Sequence, residues 1–175
     1  MMTQTIRVAG IVQESVTDGP GIRLTLFCQG CHHNCPGCHN PETHDSEGGR
    51  EMTVEEITTL YDSDPLLSGI TFSGGEPFLQ PEPLITIADH VIAKGGNVIA
   101  YTGYTLSQLR KLQETQPAIG HLLDRVDLLI DGPFILEERS LLLPFRGSAN
   151  QRVIPLNEGV GKTLADKINS LEENF

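Results

Sequence analysis

All four cysteines of the chain fall within residues 28–38, in the run Cys28-Gln29-Gly30-Cys31-His32-His33-Asn34-Cys35-Pro36-Gly37-Cys38. A chain that gathers its thiols this closely must organise itself around one loop. Cys31, Cys35 and Cys38 follow the spacing C-x3-C-x2-C. Thiolates are soft ligands that suit iron–sulfur clusters and zinc. The loop is short enough to wrap a compact cuboidal cluster. It lacks the long spacer between ligand pairs that structural zinc sites usually have. Three thiolates on a [4Fe-4S] cluster leave one iron open, and an open iron is a place for chemistry. Cys28 offers a fourth thiolate, so a closed ferredoxin-type or zinc site is the alternative. Its position in a predicted strand ahead of the loop favours a small buried hydrophobe instead.

The elements around this loop alternate between strand and helix. Ile6, Val8, Ile11 and Val12 suggest a first strand. Turn formers follow at Thr17-Asp18-Gly19-Pro20-Gly21. Ile22, Leu24 and Leu26 alternate with Arg23 and Thr25, a strand running into the cysteine loop. The loop stays polar to about Gly49. Thr53-Val54-Glu55-Glu56 is a capping box that opens a helix with Val54, Ile57, Leu60 and Tyr61 on one face. Gly69–Ser73 is a short strand that ends at Gly74-Gly75-Glu76-Pro77. A helix starting near Pro81 stops at Gly95-Gly96. Val98–Tyr101 and Val126–Ile130 are further strands, separated by a helix capped by Thr105 and Gln108. A short helical turn is possible at Ile135–Ser140. A last strand at Gln151–Ile154 and a terminal helix at Lys162–Asn174 complete the pattern.

Strand–helix repetition means parallel strands with crossover helices, hence an α/β fold. There are too few units for a closed eight-fold barrel, so the expectation is a partial, open parallel β/α barrel. About 150 residues is a typical domain, and residues 1–175 read as one domain, with the cluster loop at 28–45 and a short tail from about 156. The candidate chemistry at Cys31–Cys38, Gly74–Pro77, Thr102–Tyr104 and Asp131 sits just after strands. Loops in such positions converge on one face, where ligands bind.

Composition narrows the partners. The chain has 23 acidic and 12 basic residues. That balance argues against direct nucleic-acid binding, which needs clustered Lys and Arg. No basic region precedes an apolar run at the start, and apolar runs stay far short of the roughly 20 residues that span a bilayer. The expectation is a soluble cytoplasmic protein without a membrane partner, a compartment that keeps thiols reduced. Gly159-Val160-Gly161-Lys162-Thr163 resembles the end of a phosphate-binding loop, but Leu156 stands where that motif needs glycine.

The cysteine loop, with Phe27-Cys28-Gln29-Gly30-Cys31 before it and His39-Asn40-Pro41-Glu42-Thr43 after it, resembles that of the radical S-adenosylmethionine (SAM) enzymes. It is most similar to the branch that activates anaerobic ribonucleoside-triphosphate reductase. Gly37, where many radical SAM enzymes carry an aromatic residue, agrees with that branch. Gly74-Gly75-Glu76-Pro77 looks like the family's glycine-rich SAM motif; alone it would be an ordinary turn. Asp18-Gly19-Pro20-Gly21-Ile22-Arg23 resembles the segment ahead of the cluster in glycyl-radical activating enzymes, placing Asp18 near the active face and the substrate peptide. Arg146-Gly147-Ser148-Ala149-Asn150-Gln151 recurs near the end of the reductase activators, with no physical role evident from sequence.

The resemblance implies one [4Fe-4S] cluster held by Cys31, Cys35 and Cys38, with SAM on the open iron. It implies cofactor contacts from Gly37, Cys38, His39, Asn40, Gly74, Gly75, Glu76, Pro77 and Thr102, and a polar or cation-binding role for Asp131. His32 and His33 read as exposed loop residues. The implied activity is reductive cleavage of SAM and generation of a glycyl radical on the reductase, with a reduced flavodoxin- or ferredoxin-like protein as electron donor. The rivals are an activase of pyruvate formate-lyase type, a radical SAM enzyme acting on a small molecule, and a non-enzymatic iron–sulfur carrier or zinc module.

Overall fold

The computed structural model describes residues 3–38 and 41–172. Seven strands form one open sheet: β1 (Thr5–Ser15), β2 (Arg23–Cys28), β3 (Arg50–Thr53), β4 (Gly69–Gly74), β5 (Asn97–Tyr101), β6 (Leu128–Asp131) and β7 (Arg152–Pro155). Their order is β3-β1-β2-β4-β5-β6-β7. The four central strands, β2, β4, β5 and β6, are parallel. The open α/β sheet with a parallel centre is as expected, and antiparallel strands join it at its margins. β1 runs antiparallel to β2 and β3, and β7 antiparallel to β6. A parallel return needs a crossover of about a dozen residues or more, and the connection from Ser15 to Arg23 is too short for one. The β6–β7 connection is long but carries only a single 3-10 turn at Leu136–Glu138.

Helices α1 (Val54–Asp62) and α3 (Leu106–Leu112) begin where their capping boxes predict, with Thr53 and Thr105 each accepting from the backbone N–H three residues on. α2 spans Pro81–Ala93 and α5 spans Val160–Glu172. Two elements escape the sequence patterns. β3 has only Met52 as an apolar residue and exists as an edge partner of β1. α4 (Pro117–Leu123) has seven residues, started by proline at its first position.

Strand side chains alternate between faces, and here the two faces have different tasks. Leu24, Leu26 and Cys28 of β2, Ile70 and Phe72 of β4, and Val98 and Ala100 of β5 form one core with α1–α4. The other face carries Arg23, Thr25, Phe27, Thr71 and Tyr101. There α5 packs Leu164, Ala165 and Ile168 on Ile99, Leu128 and Ile130. Arg23 is fully buried on this face. It donates to Thr71 Oγ1 (2.7 Å), Asn97 Oδ1 (2.6 Å), and the carbonyls of Ile70 (2.7 Å) and Pro20 (3.2 Å). Burial lowers its guanidinium to about 10. These bonds fasten the β1–β2 connection beneath the sheet and bring Asp18 inward, where its carbonyl accepts from Thr71 Oγ1 at 2.9 Å.

Candidate functional site

The C-terminal ends of the parallel strands surround a cavity of about 700 Å³, lined by Cys31, Cys35, Cys38, Gly74, Thr102 and Asp18 among others. That volume suits a small-molecule or cofactor site. The cysteine loop is closed at its base. Gly30 N–H donates to Thr43 O (2.6 Å), Cys31 N–H to His44 O (3.2 Å), and the Gln29 side-chain amide to Glu42 O and Asp45 O (2.9 and 2.7 Å). Cys31, Cys35 and Cys38 are all half-buried. Burial pushes the Cys31 thiol up; the His33 N–H opposes this, and Glu76, Cys35 and Cys38 add to it. Cys28 stands apart. It has the opposite strand parity to cavity-lining Phe27, belongs to the helix-side core, and its thiol is pushed far up by burial and by Glu76.

Gly74 and Gly75 also line the cavity. Both positions also need glycine because backbone lies directly against them. Gly74 has φ +93°, and a Cβ there would lie 2.5 Å from Cys28 N; one on Gly75 would lie 2.3 Å from Gly30 O. Gly75 N–H donates to Cys28 O (2.8 Å) and Glu76 N–H to Gly30 O (2.7 Å). The two glycines let the end of β4 cross tightly against the end of β2, and so set the height of the cysteine loop. Gly74→Ala should cost about 2–3 kcal/mol from backbone strain and the clash. A urea unfolding curve with a lower midpoint and unchanged slope would show it; an unchanged midpoint would mean that the crossing relaxes freely.

The structure gives several predicted cofactor contacts other partners. Glu76 is fully buried. Its Oε1 accepts from His33 Nε2 (2.7 Å), Thr102 Oγ1 (2.8 Å) and Gly103 N–H (2.8 Å), and its Oε2 from Phe78 N–H (2.9 Å). It is a junction between the β4 end, the β5 end and the cysteine loop. Thr102 lines the cavity, but its hydroxyl donates to Glu76 and accepts from Tyr104 N–H (3.1 Å). Pro77 is buried at the start of a 3-10 turn. Asp131 accepts from Arg152 Nε (3.0 Å), Arg152 Nη2 (2.6 Å) and Leu106 N–H (2.7 Å). Gly37 faces Leu136 and Phe134. His39 and Asn40 lie outside the described residues. Asp18 lines the cavity; its Oδ2 accepts from Ser15 and Thr25. His33, expected to be an exposed loop residue, is held by Glu76 and stands edge-on to Tyr104, with ring centroids 4.6 Å apart. No local pattern marks it, because its partner is 43 residues away.

The chain matches the family described as "4Fe-4S single cluster domain" over residues 17–154. It is 35% identical over 147 residues to the anaerobic ribonucleoside-triphosphate reductase-activating protein of Salmonella typhimurium, an overlap covering 79% of this chain and 91% of that one. The chain belongs to this family of activating proteins. The member from Vibrio cholerae is 37% identical over 78% of this chain and 89% of its own. A pyruvate formate-lyase-activating enzyme of Clostridium pasteurianum is 46% identical over a shorter stretch, 46% of this chain and 36% of that one.

The cofactors the resemblance implies, one [4Fe-4S] cluster and SAM, fit what is present. Among the described residues no three His, Cys, Asp or Glu side chains converge on a single metal ion. A cluster asks for something else, since each thiolate takes a different iron. Three half-buried thiols lining one cavity supply that donor set. Two buried nitrogens of cavity-lining side chains, His44 Nε2 and Arg146 Nε, have no protein partner. Among the described residues no helix is long and apolar enough to cross a membrane.

Proposed function

We propose that this chain is the activase of an anaerobic ribonucleoside-triphosphate reductase, holding its [4Fe-4S] cluster through Cys31, Cys35 and Cys38. The supporting observation is the division of the four cysteines, three on the cavity and Cys28 turned into the core. Bound there, the [4Fe-4S] cluster and SAM would supply one-electron cleavage of the SAM carbon–sulfur bond and, through it, removal of a hydrogen atom from a glycine Cα of the partner. Gly74 and Gly75 hold the β4 end against the cysteine loop, and the Glu76 junction fixes both to β5. Asp18, on the cavity wall and held by Ser15 and Thr25, would meet the substrate peptide. The electron comes from a reduced flavodoxin- or ferredoxin-like protein, in the cytoplasm.

The test uses protein reconstituted with iron and sulfide without oxygen, then reduced and mixed with SAM and the cognate reductase. The expected products are 5′-deoxyadenosine and a reductase-bound radical whose electron paramagnetic resonance signal changes when the glycine is α-deuterated. The similarity to a pyruvate formate-lyase-activating enzyme favours one second reading. Radical transfer to a pyruvate formate-lyase and none to the reductase would replace the first reading with it.

A further inference from the structure

The Arg146–Gln151 segment has no evident role in sequence, but the structure gives it a task. The Gln151 side-chain oxygen accepts from Gly147 and Ser148 N–H (2.8 and 3.1 Å), and its amide nitrogen donates to Gly132 O (3.1 Å). The Asn150 amide donates to Pro133 O (2.8 Å), and the Ser148 hydroxyl to Asn150 Oδ1 (2.6 Å). The segment is a brace tied to the chain just beyond β6. Its neighbour Phe145 accepts from the Tyr101 hydroxyl at 2.6 Å. What the brace presents is Arg146, on the cavity wall with a side chain only 12% exposed.

Two of its three nitrogens are occupied. Nη1 donates to Gln151 O (3.3 Å), and Nη2 pairs with Glu172 of α5. The third, Nε, is buried without a partner. A buried donor left unmade is costly, so its retention on a cavity wall points to a ligand atom. Because Glu172 already balances the charge, the open N–H calls for a neutral acceptor, such as a peptide carbonyl. Thr25 and Thr71 hold Asp18, through its Oδ2 (3.1 Å) and its carbonyl (2.9 Å), and Tyr101, on the same sheet face, holds the Phe145 carbonyl (2.6 Å). Arg146 therefore lies toward the Asp18 end of the cavity. Asp18 Oδ2 is taken by Ser15 and Thr25, which leaves its Oδ1 as an acceptor.

We infer that Arg146 Nε–H donates to a main-chain carbonyl of the protein substrate, on the side of the cavity where the proposed function already sets Asp18 against the substrate peptide. This rests on the activase reading above. A grip on the main chain suits a residue that has no side chain to recognise.

The test compares wild type with Arg146→Gln and Arg146→Lys. Lysine keeps the charge opposite Glu172 but has no Nε–H branch, so it separates folding from recognition. In both variants the KM for the reductase should rise about tenfold to a hundredfold, the loss of one charge-assisted hydrogen bond. The SAM dissociation constant, measured by equilibrium dialysis on reconstituted protein, should stay within about twofold. A matching loss of SAM affinity would overturn the inference and assign Nε–H to the cofactor. An unchanged KM in a folded Arg146→Lys protein would overturn it in favour of a purely structural brace. If the wild type itself places no radical on the reductase, the activase reading falls first and this inference with it.

Discussion

Cys35→Ala should abolish both cluster assembly and 5′-deoxyadenosine formation, while Cys28→Ala should leave both in place. The contrast follows from strand parity. Cys28 ends β2 on the helix side, packed in the core with Leu24 and Leu26, and it does not line the cavity. Burial opposes its thiolate form, which is the form a metal needs. Removing its sulfur should cost only about 1–2 kcal/mol of stability, as deletion of a small buried group does. Cys35 lies in a loop whose ends are already tied by Gly30–Thr43 and Cys31–His44 backbone bonds. Its loss leaves that frame standing but takes away a ligand. Iron and sulfide analysis, the visible absorption of the reconstituted proteins and a SAM cleavage assay read the two variants side by side. A clusterless Cys28→Ala protein with normal folding would overturn the three-ligand assignment. A Cys35→Ala protein that retained a catalytic cluster would do the same.

Where the sequence could be read, local rules governed. The boxes Thr53–Glu56 and Thr105–Gln108 announce α1 and α3 because a cap is a contact between residues three apart. The alternation of Leu24 and Leu26 with Arg23 and Thr25 carries the parity that turns Cys28 away from the cavity. The convergence of Cys31–Cys38, Gly74–Gly75 and Thr102 follows from strand–helix order alone. What escaped is set by partners distant in the chain. β3 is a strand only because β1 offers it an edge. Gly74 and Gly75 lie against the backbone of Cys28 and Gly30, more than 40 residues earlier, which no local pattern shows. Asp131 and Glu76 look like free carboxylates at strand ends, and only the folded chain supplies Arg152 to one and His33, Phe78, Thr102 and Gly103 to the other.

Glu76 carries the second large effect, and it separates a positioning role from a ligand role. Glu76→Ala should lower stability by about 3–5 kcal/mol, because one buried carboxylate satisfies four donors from three parts of the chain. Without it, Phe78 N–H and Gly103 N–H lose their acceptors, and Thr102 and His33 are released. Phe78 is in the core, and Thr102 is also buried, so water does not readily replace the lost bonds. Glu76→Gln keeps the volume but turns one acceptor oxygen into a donor NH2. Every group now facing Glu76 is itself a donor, so the amide should recover only part of the loss and remain about 1–3 kcal/mol below wild type. Urea unfolding of the three proteins gives the order wild type, Gln, Ala. His33 belongs to the cysteine loop, so the same substitutions should loosen that loop from β4 and β5 and reduce cluster retention in proportion to the lost stability. A carboxylate that instead held the SAM amino group would give the opposite pattern: an Ala variant as stable as wild type, with an intact cluster and a selective loss of SAM affinity. That result would return Glu76 to the cofactor contacts and leave the β4–β5 junction to be held by the backbone alone.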